Sequence, residues 1–208
     1  MKLFLYSLEL TREHACVLNR LAGKDPCEMS FALIENAADI IPNRNDWLGG
    51  FRDMLKSNGY QLERIDLQKW CGKEDKLKLK LAAKDVIWLG GGHTYYLRWI
   101  LRRSRADIII RDLVQRGTIY AGWSAGAVVA GPTTQYFDKM GDDPKMCPQL
   151  IEEGLNLTNY VVVPHMDNKD FYEGADITNQ LLRKAGYQTI RLGDSQALVI
   201  DGDHRKVI

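Results

Sequence analysis

Apolar residues fall along this chain in two rhythms. Short runs bounded by turn residues read as buried strands at 2–6, 29–34, 61–67, 85–89, 118–124, 160–165, 188–192 and 197–201. Between them, apolar positions recur every three or four residues, which predicts helices over 9–21, 45–57, 95–103, 107–116, 125–130 and 170–185. The first helix takes its apolar side from Ala15, Leu18 and Leu21 and stops at Gly23, with His14 expected on its solvent side. The lysine-rich segment 73–84 reads as a short solvated helix, and 133–159 as irregular and polar. Asp201-Gly202 predicts a hairpin turn into the last three residues.

Strands alternating with helices imply an α/β fold: a doubly wound, mostly parallel sheet with helices on both faces and a C-terminal antiparallel hairpin. At 208 residues, 45% of them hydrophobic, the chain is expected to form one domain, 1–208. A net charge of +1, from 28 basic and 27 acidic residues, supplies no global field for nucleic acid or an anionic membrane. No apolar run approaches the roughly 20 residues of a membrane span, and Glu9, Arg12 and Glu13 follow the first apolar run too soon for a signal peptide. Cys16, Cys27, Cys71 and Cys147 are scattered without a C-x-x-C pair, which fits a reducing cytoplasm and indicates neither zinc nor a disulfide framework. A small ligand, no cofactor or metal, and a monomer or homodimer are the expectations.

Two stretches carry chemistry. In Gly122-Trp123-Ser124-Ala125-Gly126, two glycines bracket a serine in the spacing G-x-S-x-G, where a strand turns sharply into a helix and pushes the hydroxyl outward. The alternative is a plain turn whose serine caps the helix. In Gly90-Gly91-Gly92-His93-Thr94, three glycines after a strand leave backbone N–H groups open to close approach by a ligand. The spacing fits neither a dinucleotide loop nor a phosphate loop. Arg98, Arg102, Arg103 and Arg105 read as a solvated helix face. A serine nucleophile needs a base, and of the four histidines only His93 and His165 lie beside a strand's carboxyl end, where ligands collect in such sheets. His165, at the end of an apolar strand, is the better base; His93 is placed to line the pocket. Asp194, after the strand at 188–192, is the favoured partner of that histidine, with Asp138 the alternative acid and Asp167 expected to point away into water.

With Leu89-Gly90-Gly91-Gly92-His93-Thr94, Gly122-Trp123-Ser124-Ala125-Gly126-Ala127 and Pro164-His165 in this order, the chain resembles the aspartyl dipeptidase (dipeptidase E) and cyanophycinase family of serine peptidases. The resemblance implies a fold like the class I glutamine amidotransferases (flavodoxin-like), with serine in place of their cysteine. It implies that Ser124 attacks a peptide carbonyl, that His165 relays the proton, and that the backbone amides of Gly92 and Ala125 hold the oxyanion, with Gly91 and His93 facing substrate. Small peptides are then the expected substrates. The family's aspartyl dipeptidases carry asparagine after the three glycines and arginine shortly after the histidine. Here His93 stands at the first position and no arginine occurs in 166–180, so a preference for N-terminal aspartate is not expected; Lys169 reads as a solvated loop lysine. Two other readings share these residues: an α/β-hydrolase-type esterase using His204, and a ligand-binding protein that keeps the pocket without turnover.

Overall fold

The computed structural model describes residues 1–208. β1 (Lys2–Tyr6), β2 (Ser30–Ile34), β3 (Gln61–Arg64), β4 (Val86–Leu89) and β5 (Ile119–Trp123) run parallel. β6 (Tyr160–Val163) and β7 (Gln188–Arg191) pair with each other, while β8 (Ala197–Asp201) and β9 (His204–Val207) form the antiparallel hairpin. The main sheet has the order β3-β2-β4-β5-β1-β8-β9. The period-two alternation of β1 sends Phe4 and Tyr6 to one face and Leu3 and Leu5 to the other, and each face has its own apolar cluster. On the first face lie α1 (Arg12–Ala22) and α2 (Asn45–Ser57), through Leu18, Leu21, Phe51 and Leu55. The second face carries α3 (Glu74–Ala82), α4 (Thr94–Arg103), α5 (Ala106–Gln115) and the short α6 (Ala125–Val128). The central strands β4 and β5 are buried along their whole length, as expected for parallel strands covered on both faces.

The predicted single sheet is in fact two. β6 and β7 make a separate parallel pair, because β8 has taken the free edge of β1. Val161–Val163, Leu182 of α7 (Tyr172–Lys184) and Leu192 still join the larger cluster, so the small sheet packs on the same side as α4 to α6. β3 stops at Arg64, earlier than its apolar run suggests, because the Asp66 side chain accepts from the Gln68 N–H (3.1 Å) and starts a 3-10 turn.

Two local expectations are overturned. The first helix begins at Arg12, capped by Thr11, whose side chain accepts from the His14 N–H (3.1 Å) while the His14 ring turns back to the Thr11 N–H. That capping box buries His14 against Phe4 and Tyr6 instead of exposing it. Arg98 is fully buried: its Nη1 reaches Asp107 Oδ2 (3.2 Å) and its Nε donates to the Glu153 carbonyl, tying α4 to α5 and to the irregular segment. Arg102, at the exposed end of α4, completes the group on Asp107 (2.6 Å). No helix is long and apolar enough to cross a membrane.

Candidate active site

β5 delivers its chain into Ser124 at φ 48°, ψ −109°, a region that a residue with a Cβ adopts only under strain, and α6 starts at the next residue. The bracketing glycines are required by contact. A Cβ on Gly122 would strike the backbone of Gly126, and one on Gly126 would strike the carbonyl of Leu89. Two further bonds hold the elbow: the Tyr120 hydroxyl donates to the Gly126 carbonyl (2.5 Å), and the Ser124 N–H donates to the Tyr6 carbonyl at the end of β1 (3.0 Å).

The small sheet supplies what faces the serine. β6 and β7 run side by side in one direction, so the segments leaving their carboxyl ends emerge together, one with His165 and the other with Asp194. Ser124 Oγ lies 3.0 Å from His165 Nε2, and His165 Nδ1 lies 2.7 Å from Asp194 Oδ1. His165 is itself held at positive φ (64°). Its N–H donates to the buried Ser7 hydroxyl (2.9 Å), which in turn is 3.4 Å from Asp194 Oδ1. Asn168 Nδ2 donates to the other carboxylate oxygen of Asp194 (2.6 Å). The Asp194 carbonyl accepts from the N–H groups of Leu8 (3.0 Å) and Glu9 (2.8 Å), so the turn that carries it is sewn to the end of β1. Asp167 is exposed and does not bond His165, as expected, but one of its carboxylate oxygens accepts from the Asp194 N–H (2.6 Å) and the side chain lies against Gly193.

Asp138 is not a partner of His165. It is exposed on the 3-10 turn Phe137–Met140, where its carboxylate pairs with Lys139 (2.7 Å). His204 lies exposed on β9 and takes no part in the site. Ser7 and Asn168 are not among the residues the sequence singles out. Only Ser7 carried a signal, a hydroxyl directly after the first apolar strand.

The glycine loop lies beside the elbow because β4 and β5 are neighbours. It is pinned at both ends: the Gly90 N–H donates to Ile34 and the His93 N–H to Ala37 (2.8 Å each), while the N–H groups of Gly91 and Gly92 make no hydrogen bond within the protein. Ala125, as first residue of α6, has no intrahelical acceptor for its N–H. His93 caps α4, with Nδ1 accepting from the Tyr96 N–H (3.3 Å) and Nε2 3.1 Å from the Asp143 carbonyl. A neutral ring protonated on Nε2 satisfies both, so His93 offers the cavity its ring and not a free nitrogen.

Gly91, Gly92, His93, Ser124, Ala125 and His165 border one cavity of about 590 Å3. Its walls are mostly apolar and it contains one carboxylate, Asp142, at its edge. Asp142 Oδ2 accepts from the Thr94 N–H (2.9 Å) at the start of α4, and burial pushes its carboxyl above the usual range, with Thr94 and His93 partly opposing. No group of three or more His, Cys, Asp or Glu side chains is arranged to hold a metal ion.

The sequence profile of peptidase family S51 matches residues 30–208. Over 150 residues the chain is 31% identical to an uncharacterized peptidase of Listeria monocytogenes, covering 71% of each. Over 162 residues it is 33% identical to an uncharacterized peptidase of Pasteurella multocida, 74% of this chain and 76% of that one. Peptidase E of Nostoc is 33% identical over 117 residues, 56% of this chain and 44% of its own length. A crystal structure of a Listeria monocytogenes protein, provisionally assigned as a peptidase E, superposes with a TM-score of 0.84 at 25% identity, covering 100% of this chain and 97% of that one.

Proposed function

The chain belongs to peptidase family S51, and from that premise we propose that it hydrolyses short peptides with Ser124 as nucleophile, His165 as base and Asp194 as the acid that orients it. One observation carries the reading: the unbroken relay from Ser124 Oγ through His165 to Asp194, at 3.0 and 2.7 Å. Asp194 keeps the imidazole proton on Nδ1, so Nε2 is free to accept from the serine as Oγ attacks the scissile carbonyl. The carbonyl oxygen becomes an oxyanion and takes the unpaired N–H groups of Gly92 and Ala125, donors already fixed before the charge develops. His165 then gives its proton to the leaving amine, and water, activated by the same nitrogen, releases the acyl group from Ser124. A cavity of about 590 Å3 lies in the size range of small-molecule sites and suits a dipeptide or tripeptide.

Acid after histidine in the chain, and an exposed His204, favour this reading over an α/β-hydrolase-type esterase. Ser124→Ala tests it. The elbow is set by glycines and backbone bonds, so the variant should fold like the parent and lose both fluorophosphonate labelling and peptide hydrolysis, the latter by several orders of magnitude. An alanine variant that cleaves peptides at the parental rate would refute the assignment.

A further inference from the structure

The charge balance of the cavity goes beyond a generic peptide site. Its border contains no lysine and no arginine, and Asp142 forms no salt bridge with either residue type. Oδ2 accepts from the Thr94 N–H (2.9 Å), and the Thr94 side chain also bonds the carboxylate. A half-buried carboxylate with no lysine or arginine beside it in a mostly apolar enclosure is costly unless a cation completes it. Sharing the cavity wall with it are Ile40, Ile41, Trp47, Phe137, Met140 and Phe171, none of which can hydrogen-bond a charged side chain except through the indole N–H.

We propose that this cavity selects peptides with a free N-terminal ammonium and an apolar first side chain, Asp142 taking the ammonium and the apolar wall the side chain. The inference rests on the proposed reading for the position of the scissile carbonyl, and geometry agrees with it. The α-ammonium of the first residue lies only about 2.5 Å from that residue's carbonyl carbon. The Thr94 N–H that holds Asp142 is two residues, at most about 7.6 Å of chain, from the Gly92 N–H assigned to the oxyanion. Gly92 and Asp142 border the same cavity, so an ammonium on Asp142 and a carbonyl oxygen on Gly92 can belong to one short peptide. An acidic first side chain would enter the same enclosure beside Asp142, with no cation to meet it, and is disfavoured by both desolvation and like charge.

Binding to the Ser124→Ala protein, measured by calorimetry with Leu-Gly, N-acetyl-Leu-Gly and Asp-Gly, separates recognition from chemistry. Leu-Gly should bind roughly ten- to a hundredfold more tightly than either of the others. Adding Asp142→Asn keeps an oxygen for the Thr94 N–H but removes the charge, and should erase the preference for the free amine without lowering the melting temperature by more than a few degrees. Equal affinity for the acetylated peptide, tighter binding of Asp-Gly, or a free-amine preference that survives Asp142→Asn overturns the proposal. The parent enzyme, assayed with Leu-Gly, reports on the other premise. Selective binding with no turnover by the parent would retain the recognition site and remove the peptidase mechanism. Turnover with no such selectivity would do the reverse.

Discussion

Asp194 takes hydrogen bonds on both oxygens, from His165 and Ser7 on one and from Asn168 on the other. Every donor fixes the carboxylate's rotation, and the Ser7 hydroxyl also fixes the backbone of His165. Converting Asp194 to asparagine preserves shape but puts an amide where the imidazole needs an acceptor for its Nδ1 proton. The base then rests in the wrong tautomer, and kcat should fall by about 10^3- to 10^4-fold. Asp138→Asn touches only an exposed pair with Lys139 and should stay within about twofold of the parent, as surface pairs contribute little. Steady-state kinetics of the two folded variants decide this, and the reverse ranking would move the acid to Asp138. Ser7→Ala is expected to slow turnover more modestly, because it strands the His165 N–H and loosens the ring without removing any reacting group.

Among the elements, the β5–α6 elbow concentrates what can be read from sequence, since its two glycines and the serine fall within five consecutive residues and their spacing encodes the turn. The glycine loop, His165 and Asp194 were legible for a related reason: each follows an apolar strand, and carboxyl ends of parallel strands gather in one place. What lay outside the sequence's reach depends on contacts between distant segments. Arg98 looks like one of four surface arginines until α5 brings Asp107 beneath it. The separation of β6 and β7 follows from β8 pairing with β1, which neither run of apolar residues announces. Asp142 becomes part of the cavity only because residues 133–159 fold back over the start of α4. The elbow itself yields a prediction. Gly126→Ala places a methyl group against the immobile backbone of Leu89 in the sheet. Overpacking of this kind costs about 1–3 kcal/mol, and because α6 must shift, the Ala125 N–H shifts with it. Melting temperature and kcat should therefore fall together; an unchanged melting temperature would mean that the elbow has room the geometry denies.

Across the whole molecule, acid should act at two places for different reasons. At the site, only a neutral His165 can accept the serine proton, so turnover falls on acidification. For the fold the group that matters is His14, buried on α1 and outside the cavity walls. Burial pushes its pKa below the ordinary histidine value, with the Glu9 backbone, Glu13 and the Ile208 backbone partly opposing. In the unfolded chain His14 takes up a proton as pH drops through about 6.5, whereas the folded protein resists it. The unfolded state therefore binds more protons in that window, and stability, complete above it, declines as pH falls through it toward the lower folded value. The His14 ring also occupies the third position of the α1 capping box, where glutamine is a natural substitute. His14→Gln should keep the cap, remove the titration and flatten the fall in melting temperature between about pH 7.5 and pH 5, the window bracketing the ordinary histidine value, while leaving the acid loss of turnover in place. Comparing the two proteins at each pH cancels the carboxylates they share. Parallel melting curves for parent and variant would show that His14 is protonated without cost, and the acid sensitivity of the fold would then have to come from elsewhere.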